Sequence, residues 1–362
     1  MGVVKETFPG ERRVAMAPRV MDMLAKVGAQ FIVERGAGTD AGFPDKEYEA
    51  KGARMAATAD EVRQNAQVLV EVRVEDSPAL QPGQIVAGMC DPLSEPQFIA
   101  EIAKRGITLF SMELIPRITR AQSMDVLSSM ATVGGYKAVL LAATALPRMF
   151  PLMMTAAGTV PAARVLVLGA GVAGLQAIAT ARRLGAVVWG YDVRPVVKEQ
   201  VESLGAKFLE FDLGVQDAQD KGGYARELSD EAKRKQQQML ADKTKEFDVV
   251  ITTALVPGRP APRLITKETV AAMKPGSVIV DLAAETGGNC ELTEADKEVV
   301  RHGVTIIGPT NLPSTLPVHA SQLYGRNVVE LLKLLVKDGK LNLDFNDEII
   351  RSACVTHNGS KP

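Results

Sequence analysis

Short apolar runs alternate with amphipathic segments along nearly the whole chain, which predicts parallel strands buried on both faces and joined by helices. Val20, Met21, Leu24 and Val27 keep helical spacing between Pro18 and Gly28, and a strand is expected over 31–33. Thr58 is placed to cap a helix running to 66, ahead of a strand over 68–72. A strand over 85–89 precedes a helix over 96–105, and Gly106 turns into a strand over 107–112. A long helix over 124–146 follows, its pattern interrupted by Gly134 and Gly135, and then a hairpin over 151–161 that turns at 157 and 158.

The cycle then restarts. Strands are expected over 165–168, 187–191, 207–209, 247–252, 277–282 and 304–307, with helices over 175–184, 196–204 and 266–273, a charged helix before a turn at His302, and a last helix over 318–336. The chain has 362 residues, beyond the roughly 250–300 at which single cores stop growing, so two domains are expected. The reading is α/β: two Rossmann-like, doubly wound parallel-sheet domains joined by long helices. The first is discontinuous, 1–125 plus 315–362, and carries no nucleotide fingerprint; the second, 126–314, carries it. Nothing beyond Lys337 is expected to contribute chemistry.

The fingerprint is Gly169, Gly171 and Gly174 at G-x-G-x-x-G spacing, between a strand and a helix that also offers Val172 and Ala173. In this motif the first glycine permits the turn, the second admits a pyrophosphate, and the third lets helix and strand pack closely, while the helix N-terminus favours an anion. The second strand ends in Asp192, 18 residues after Gly174 and near the ~20 at which an acid binds a ribose 2′-hydroxyl. NAD(H) is therefore favoured over NADP(H), although Arg194, just past Val193, is able to meet a 2′-phosphate. The stretch Thr253-Ala254-Leu255 to Pro262 lies at a carboxyl strand end and is read as a rigid rim of the nucleotide cleft; Asn311 follows another such end.

Three further segments carry two readings each. Glu113 to Ser128, after the strand over 107–112, holds Arg117, Arg120, Gln122 and Asp125 with several hydroxyls. It suits a carboxamide ligand, or is a solvated loop in which Ser123 caps the next helix. The hairpin exposes methionines, as a dimer contact or a local core flap. The polar stretch 212–246 holds Gly222-Gly223-Tyr224 and a mixed-charge helix from about 225 to 245. It is either a mobile flap tipped by Tyr224 or a solvated helix.

Composition removes other classes. The net charge is −1, giving no global attraction to nucleic acid or membrane. Cys90, Cys290 and Cys354 are isolated, which suits a reducing cytoplasm and inert thiols. No signal-peptide pattern or apolar run near the ~20 residues of a membrane span is expected. Neither a zinc motif nor G-x-S-x-G occurs, so metal chemistry and nucleophilic hydrolysis lack support. His302, His319 and His357 are poorly placed as proton shuttles, and Asp125 is the best placed carboxylate. Hydride passing between two nicotinamides needs no proton, only orientation of the rings.

These residues closely resemble the soluble NAD(H)-binding domain I of proton-translocating NAD(P) transhydrogenase, over nearly the whole chain. The most specific piece is Pro116-Arg-Ile-Thr-Arg-Ala-Gln-Ser-Met-Asp-Val-Leu-Ser-Ser129, which resembles that family's Arg-Gln-Asp loop. The resemblance implies that Arg117, Gln122, Asp125 and Ser128 contact the nicotinamide, that the hairpin over 153–161 forms a homodimer interface, and that Tyr224 closes over nucleotide. It also implies Asp192 as the ribose-binding acid, a membrane subunit that moves protons, and a separate domain III that holds NADP(H). The chain would then sit at the cytoplasmic face of the inner membrane through its partners. Alanine dehydrogenase is the related alternative. Arg13 matches a substrate-binding arginine of that family, whereas Arg73, Asp91 and Glu285 stand where it has lysine, the catalytic histidine and the catalytic aspartate.

Overall fold

The computed structural model describes residues 1–25, 28–211, 229–256, 258–337 and 340–361; Val27 and Tyr224 lie outside them. In chain order the first elements are β1 (Gly2–Val3), α1 (Pro18–Ala25), β2 (Ile32–Glu34), α2 (Asp45–Glu49), β3 (Arg54–Ala56), α3 (Ala59–Asn65), β4 (Val68–Arg73), β5 (Ile85–Met89), α4 (Pro96–Lys104) and β6 (Thr108–Ser111). Then come α5 (Val126–Ala145), the hairpin β7 (Met153–Thr155) and β8 (Gly158–Val160), β9 (Arg164–Leu168), α6 (Val172–Arg183), β10 (Val187–Tyr191), α7 (Lys198–Ser203) and β11 (Lys207–Phe208). The remainder is α8 (Asp230–Thr244), β12 (Val249–Thr252), α9 (Lys267–Ala272), β13 (Val278–Asp281), β14 (Lys297–Arg301), β15 (Val304–Gly308), α10 (Pro317–Leu334), β16 (Val336–Lys337), β17 (Lys340–Leu341), α11 (Glu348–Ala353) and β18 (Cys354–Thr356).

The chain divides into two compact units, one of Met1–Met130 with Pro313–Pro362 and one of Ala131–Leu312. In the first, the sheet order is β3-β2-β1-β4-β5-β6, all parallel, with β18 added antiparallel at the β6 edge. In the second it is β11-β10-β9-β12-β13-β15, also parallel, with β14 antiparallel at the far edge. Each is the doubly wound 3-2-1-4-5-6 arrangement, whose strand order reverses between its first and fourth strands and opens a crevice at their carboxyl ends.

The central strands are hydrophobic without alternation because helices cover both faces: Val165, Leu166, Val167 and Leu168 of β9 are all fully buried. Thr58 caps α3 by accepting the Glu61 amide at 3.2 Å, and Thr266 caps α9 through the Thr269 amide. Helix α5 is long and apolar enough to cross a membrane by length and composition. Its Ala138, Val139 and Ala142 are instead wholly enclosed in the core of the second unit, and a Cβ on Gly135 would stand 2.1 Å from the Ala173 carbonyl oxygen of α6.

Several expectations need correcting. Residues 297–301, expected as a charged helix, form the exposed edge strand β14, turned into β15 by His302 and Gly303, both at positive φ (52° and 77°). Two consecutive left-handed residues are the signature of a tight hairpin, and the lysine and arginine of this edge strand imitate a solvated helix face. Helix α8 begins at Asp230 behind a Ser229 cap, the expected start near 225 lying outside the described residues, and it is not solvated all round: Ala232, Gln236, Leu240 and Thr244 form a buried stripe at four-residue spacing. The 151–161 hairpin turns at 156 and 157, with Gly158 opening the return strand at φ 129°. The last long helix starts one residue early, with Pro317 in its first turn, and ends at Leu334. Beyond Lys337 the chain supplies α11 and β18, which complete the first sheet.

The first unit buries charge at the ends of β1 and β4. Glu6 accepts the Val72 and Arg73 amides at 2.6 and 3.0 Å, and Glu71 stands 3.5 Å from Arg63. Burial pushes the Glu71 carboxyl up to about 7, against the opposing pull of Arg63, and holds Glu6 well above the usual carboxylate range. Because the folded-state value of Glu71 lies above the unfolded one, its contribution to stability is full below the ordinary carboxylate range and is lost as pH rises through about 7. The thermal midpoint is expected to fall between about pH 5 and about pH 8, and Glu71→Gln is expected to shrink that fall. Equal falls in differential scanning fluorimetry would show that Glu71 is not the titrating group.

Candidate functional site

In the second unit the glycine loop lies at the sheet's switch point, between the carboxyl ends of β9 and β12. Gly169 takes φ 98°, in the left-handed region that glycine enters without steric cost. A Cβ on Gly174 would lie 1.8 Å from the Gly169 carbonyl oxygen, so helix and loop meet at backbone distance; at Gly171 nothing stands within 4 Å. Gly171 is the N-cap of α6 and makes no side-chain cap hydrogen bond, leaving a helix N-terminus suited to an anion. The loop is tied on both sides. The Gly169 amide donates to the Tyr191 carbonyl at 2.8 Å, and the Thr253 hydroxyl donates to the Gly169 carbonyl at 3.0 Å.

Asp192 fixes the same loop more strongly. Its Oδ2 accepts the Ala170 amide at 2.8 Å and Arg194 Nη2 at 2.7 Å, while Oδ1 accepts the Arg194 amide and Nε, both at 2.9 Å. Four donors match the roughly four acceptor sites of a carboxylate. A ribose hydroxyl therefore bonds Asp192 only by displacing one of them. Arg194, which the sequence leaves able to meet a 2′-phosphate, is neutralised by Asp192 within the same turn.

Around the loop, Val172 and Leu255 are exposed, and Val193 packs at the edge of the core containing Tyr191. Ala254 is gripped by the fully buried Asn289, which accepts its amide at 3.0 Å and donates to its carbonyl at 2.8 Å and to the Pro262 carbonyl at 2.8 Å. Asn289 was not singled out from sequence; its position in a Gly-Gly-Asn turn after β13 was the available signal. Asp281 does similar work beneath it, accepting the Thr252 hydroxyl, the Cys290 amide and the Thr293 hydroxyl. Asn311, at φ 45°, donates its amide to Glu285 at 2.9 Å. The expected flap residue Tyr224 and the rim residue Pro257 lie outside the described residues.

In the first unit, Pro116, Arg117, Ile118, Ala121, Gln122, Asp125 and Ser128 line one pocket of about 360 Å³. The loop leaves β6 and winds through a 3-10 turn, Thr119–Met124, before α5. Asp125, not Ser123, caps α5: it accepts the Ser128 amide at 2.8 Å and the Ser128 hydroxyl at 2.6 Å. The Ser123 carbonyl instead accepts Asn327 of α10 at 2.7 Å. Arg120 turns away from the pocket lining and makes two bonds of 2.8 Å to Asp347, so the two guanidiniums have different employment.

Among the described residues the pocket lining holds no histidine, lysine or cysteine. His302 sits in the β14–β15 turn, His319 is exposed on α10, and His357 shares a 3.0 Å hydrogen bond with Thr108. Burial pushes the thiols of Cys90 and Cys354 up to about 12 and that of Cys290 up to about 11, which keeps them protonated and unreactive. Among the described residues no group of three His, Cys, Asp or Glu side chains is arranged to hold a metal.

Arg13, which matches alanine dehydrogenase, and Arg73, Asp91 and Glu285, which depart from it, are all engaged in other contacts. Arg13 is buried, with two charge-assisted bonds of 2.7 and 2.6 Å to Glu11. Arg73 lies 4.2 Å over the Phe8 ring and 3.5 Å from Glu11. Asp91 takes φ 41° and donates its amide to Glu113 at 3.0 Å, and Glu285 holds the Asn311 amide.

The family model for the alanine dehydrogenase/PNT N-terminal domain matches residues 2–134, and that for the C-terminal domain matches residues 138–361. An NAD(P) transhydrogenase alpha-subunit polypeptide of Rhodospirillum rubrum is 47% identical, covering 99% of this chain and 97% of that protein. The crystal structure of transhydrogenase from Sinorhizobium meliloti superimposes with a TM-score of 0.89 at 46% identity, covering 100% of this chain and 99% of that one. Alanine dehydrogenase of Bacillus subtilis is 26% identical over 99% of this chain and 91% of that protein. The chain therefore belongs to the alanine dehydrogenase/PNT family, among its NAD(P) transhydrogenase alpha-subunit members and at a greater distance from its alanine dehydrogenases.

Proposed function

We propose that this chain binds NAD(H) and passes a hydride directly to NADP⁺ held by a separate partner domain, coupled to proton movement through a membrane subunit. The observation that carries the reading is the pocket of Arg117, Gln122, Asp125 and Ser128. It is polar enough to hold a carboxamide, its carboxylate already holds the Ser128 amide and hydroxyl, and among the described residues no histidine, lysine or cysteine lines it. An alcohol or amine dehydrogenase needs a positioned acid or base; hydride exchange between two nicotinamides does not. Arg117, Gln122, Asp125 and Ser128 contact the nicotinamide and orient its ring.

The glycine loop and the α6 N-terminus take the pyrophosphate, and Asp192 takes the adenosine ribose when the Arg194 guanidinium moves aside. Thr253, Ala254, Leu255, Val193 and Asn311 border the nucleotide, and Tyr224 closes over it. The exposed Met153 and Met154 of the hairpin, 41% and 77% accessible, form a homodimer contact. The chain works at the cytoplasmic face of the inner membrane, held there by its partners, and NADP(H) binds the partner domain III, not this chain.

The decisive assay pairs NADH fluorescence with absorbance at 340 nm. Purified chain is expected to bind NADH, to give no rise with NAD⁺ and L-alanine, and to transfer hydride once the NADP-loaded partner is added. A steady rise with L-alanine alone would make it an amino-acid dehydrogenase.

Shortening Gln122 to Asn moves the amide about one carbon–carbon bond from the ring. Hydride transfer in stopped flow is expected to slow about 100-fold, with NADH affinity nearly unchanged. Equal losses in rate and affinity would assign Gln122 to binding instead. Asp192→Ala removes a charged acceptor, so NADH affinity is expected to fall on the order of tenfold or more. Because Arg194 also loses its carboxylate, the preference for NADH over NADPH is expected to narrow. Unchanged calorimetric affinities for both nucleotides would show that another group reads the ribose.

A further inference from the structure

We infer that Arg120 and Asp347 form a clamp that positions the 117–128 loop for hydride transfer, which makes the C-terminal segment a working part of the site. The inference rests on the reading of that loop as the holder of the nicotinamide. It starts from what the loop lacks. Residues Thr119–Met124 wind as a 3-10 helix, whose hydrogen-bond geometry is poorer than that of an α-helix. A segment of this kind keeps an orientation fine enough for hydride transfer through ties to its surroundings.

Two such ties reach it from the far end of the chain. Asn327 of α10 donates to the Ser123 carbonyl at 2.7 Å. Arg120 Nη1 and Nη2 bond the two oxygens of Asp347, each at 2.8 Å, in the parallel fork that adds direction to charge. Hydrogen bonding from Arg120 holds the Asp347 carboxyl below its usual range.

Asp347 is itself held in place. It is the N-cap of α11, where its Oδ1 accepts the Ile349 amide at 2.8 Å. Helix α11 runs without a break into β18, and β18 pairs with β6, the strand from which the loop departs. The loop's origin and its distal anchor therefore share one sheet edge, and a shift of Asp347 moves Arg120 relative to β6. Side chains of Arg120 and Asp347 are 53% and 19% accessible. An ion pair this exposed adds little to global stability, so its effect is expected in loop geometry rather than in folding.

The test is a double-mutant cycle on the full chain with the NADP-loaded partner. Asp347→Asn keeps a good helix cap but loses the charged fork, and Arg120→Ala removes the other half. Each single variant is expected to slow hydride transfer about tenfold, with NADH affinity and thermal midpoint nearly unchanged, and the double variant to be no slower than either. Parallel losses of affinity and midpoint would make the pair merely structural and overturn the inference. An unchanged rate in both single variants while Gln122→Asn slows transfer would overturn the clamp and leave the loop reading intact. If Gln122→Asn is also without effect, the loop reading fails and the clamp with it.

Discussion

The approach of Gly174 to the Gly169 carbonyl is the constraint on which the nucleotide half of the molecule depends. With 1.8 Å available at the position of a Cβ, no side chain fits, and helix α6 is thereby seated with its N-terminus over the end of β9. Asp192 then holds the loop from the next strand by accepting the Ala170 amide, and Thr253 holds it from β12. The α6 N-terminus is left suited to an anion, on a loop held by these two side chains. Its neighbours, Asn289 and Asp281, are buried polar groups whose bonds go to loop amides, carbonyls and hydroxyls, which is how irregular backbone at a strand end is kept in one conformation.

The polar loop of the first unit follows a different logic. It is not built on glycine, and its shape comes from side chains that bond backbone: Asp125 on α5, Asn327 on Ser123, and Glu113 on the Cys90 and Asp91 amides. The acidic groups near the pocket thereby hold backbone in place. Arg13 is likewise engaged, enclosed with Glu11. The proposed hydride exchange between two nicotinamides, which moves no proton, suits a pocket whose polar groups are engaged in this way.

Much of this was legible in the sequence because the signals are local. The glycine spacing, the acid after β10 and the unbroken apolar strands each depend on a few consecutive residues, and strands such as Ile85–Met89 and Val187–Tyr191 fall where the pattern put them. Edge elements were harder. β14 reads Lys-Glu-Val-Val-Arg and β18 only Cys-Val-Thr, too charged in one case and too short in the other for periodicity to identify. Long-range partners left no trace. Asp347 lies 227 residues from Arg120, and nothing in the spacing of either residue announces the other. Asp192 shows the intermediate case: its presence was legible, while its saturation by Arg194 was visible only in three dimensions.

In the proposed reaction hydride moves directly from NADH on this chain to NADP⁺ on the partner. The most direct measurement uses NADH stereospecifically deuterated at C4 of the nicotinamide, with mass spectrometry of the NADPH formed in ordinary water. Direct transfer predicts that one diastereomer of labelled NADH delivers its deuterium fully to C4 of NADPH. Loss of that label to solvent with either diastereomer would contradict the account, since it would require an exchangeable intermediate and a proton-handling group on this chain.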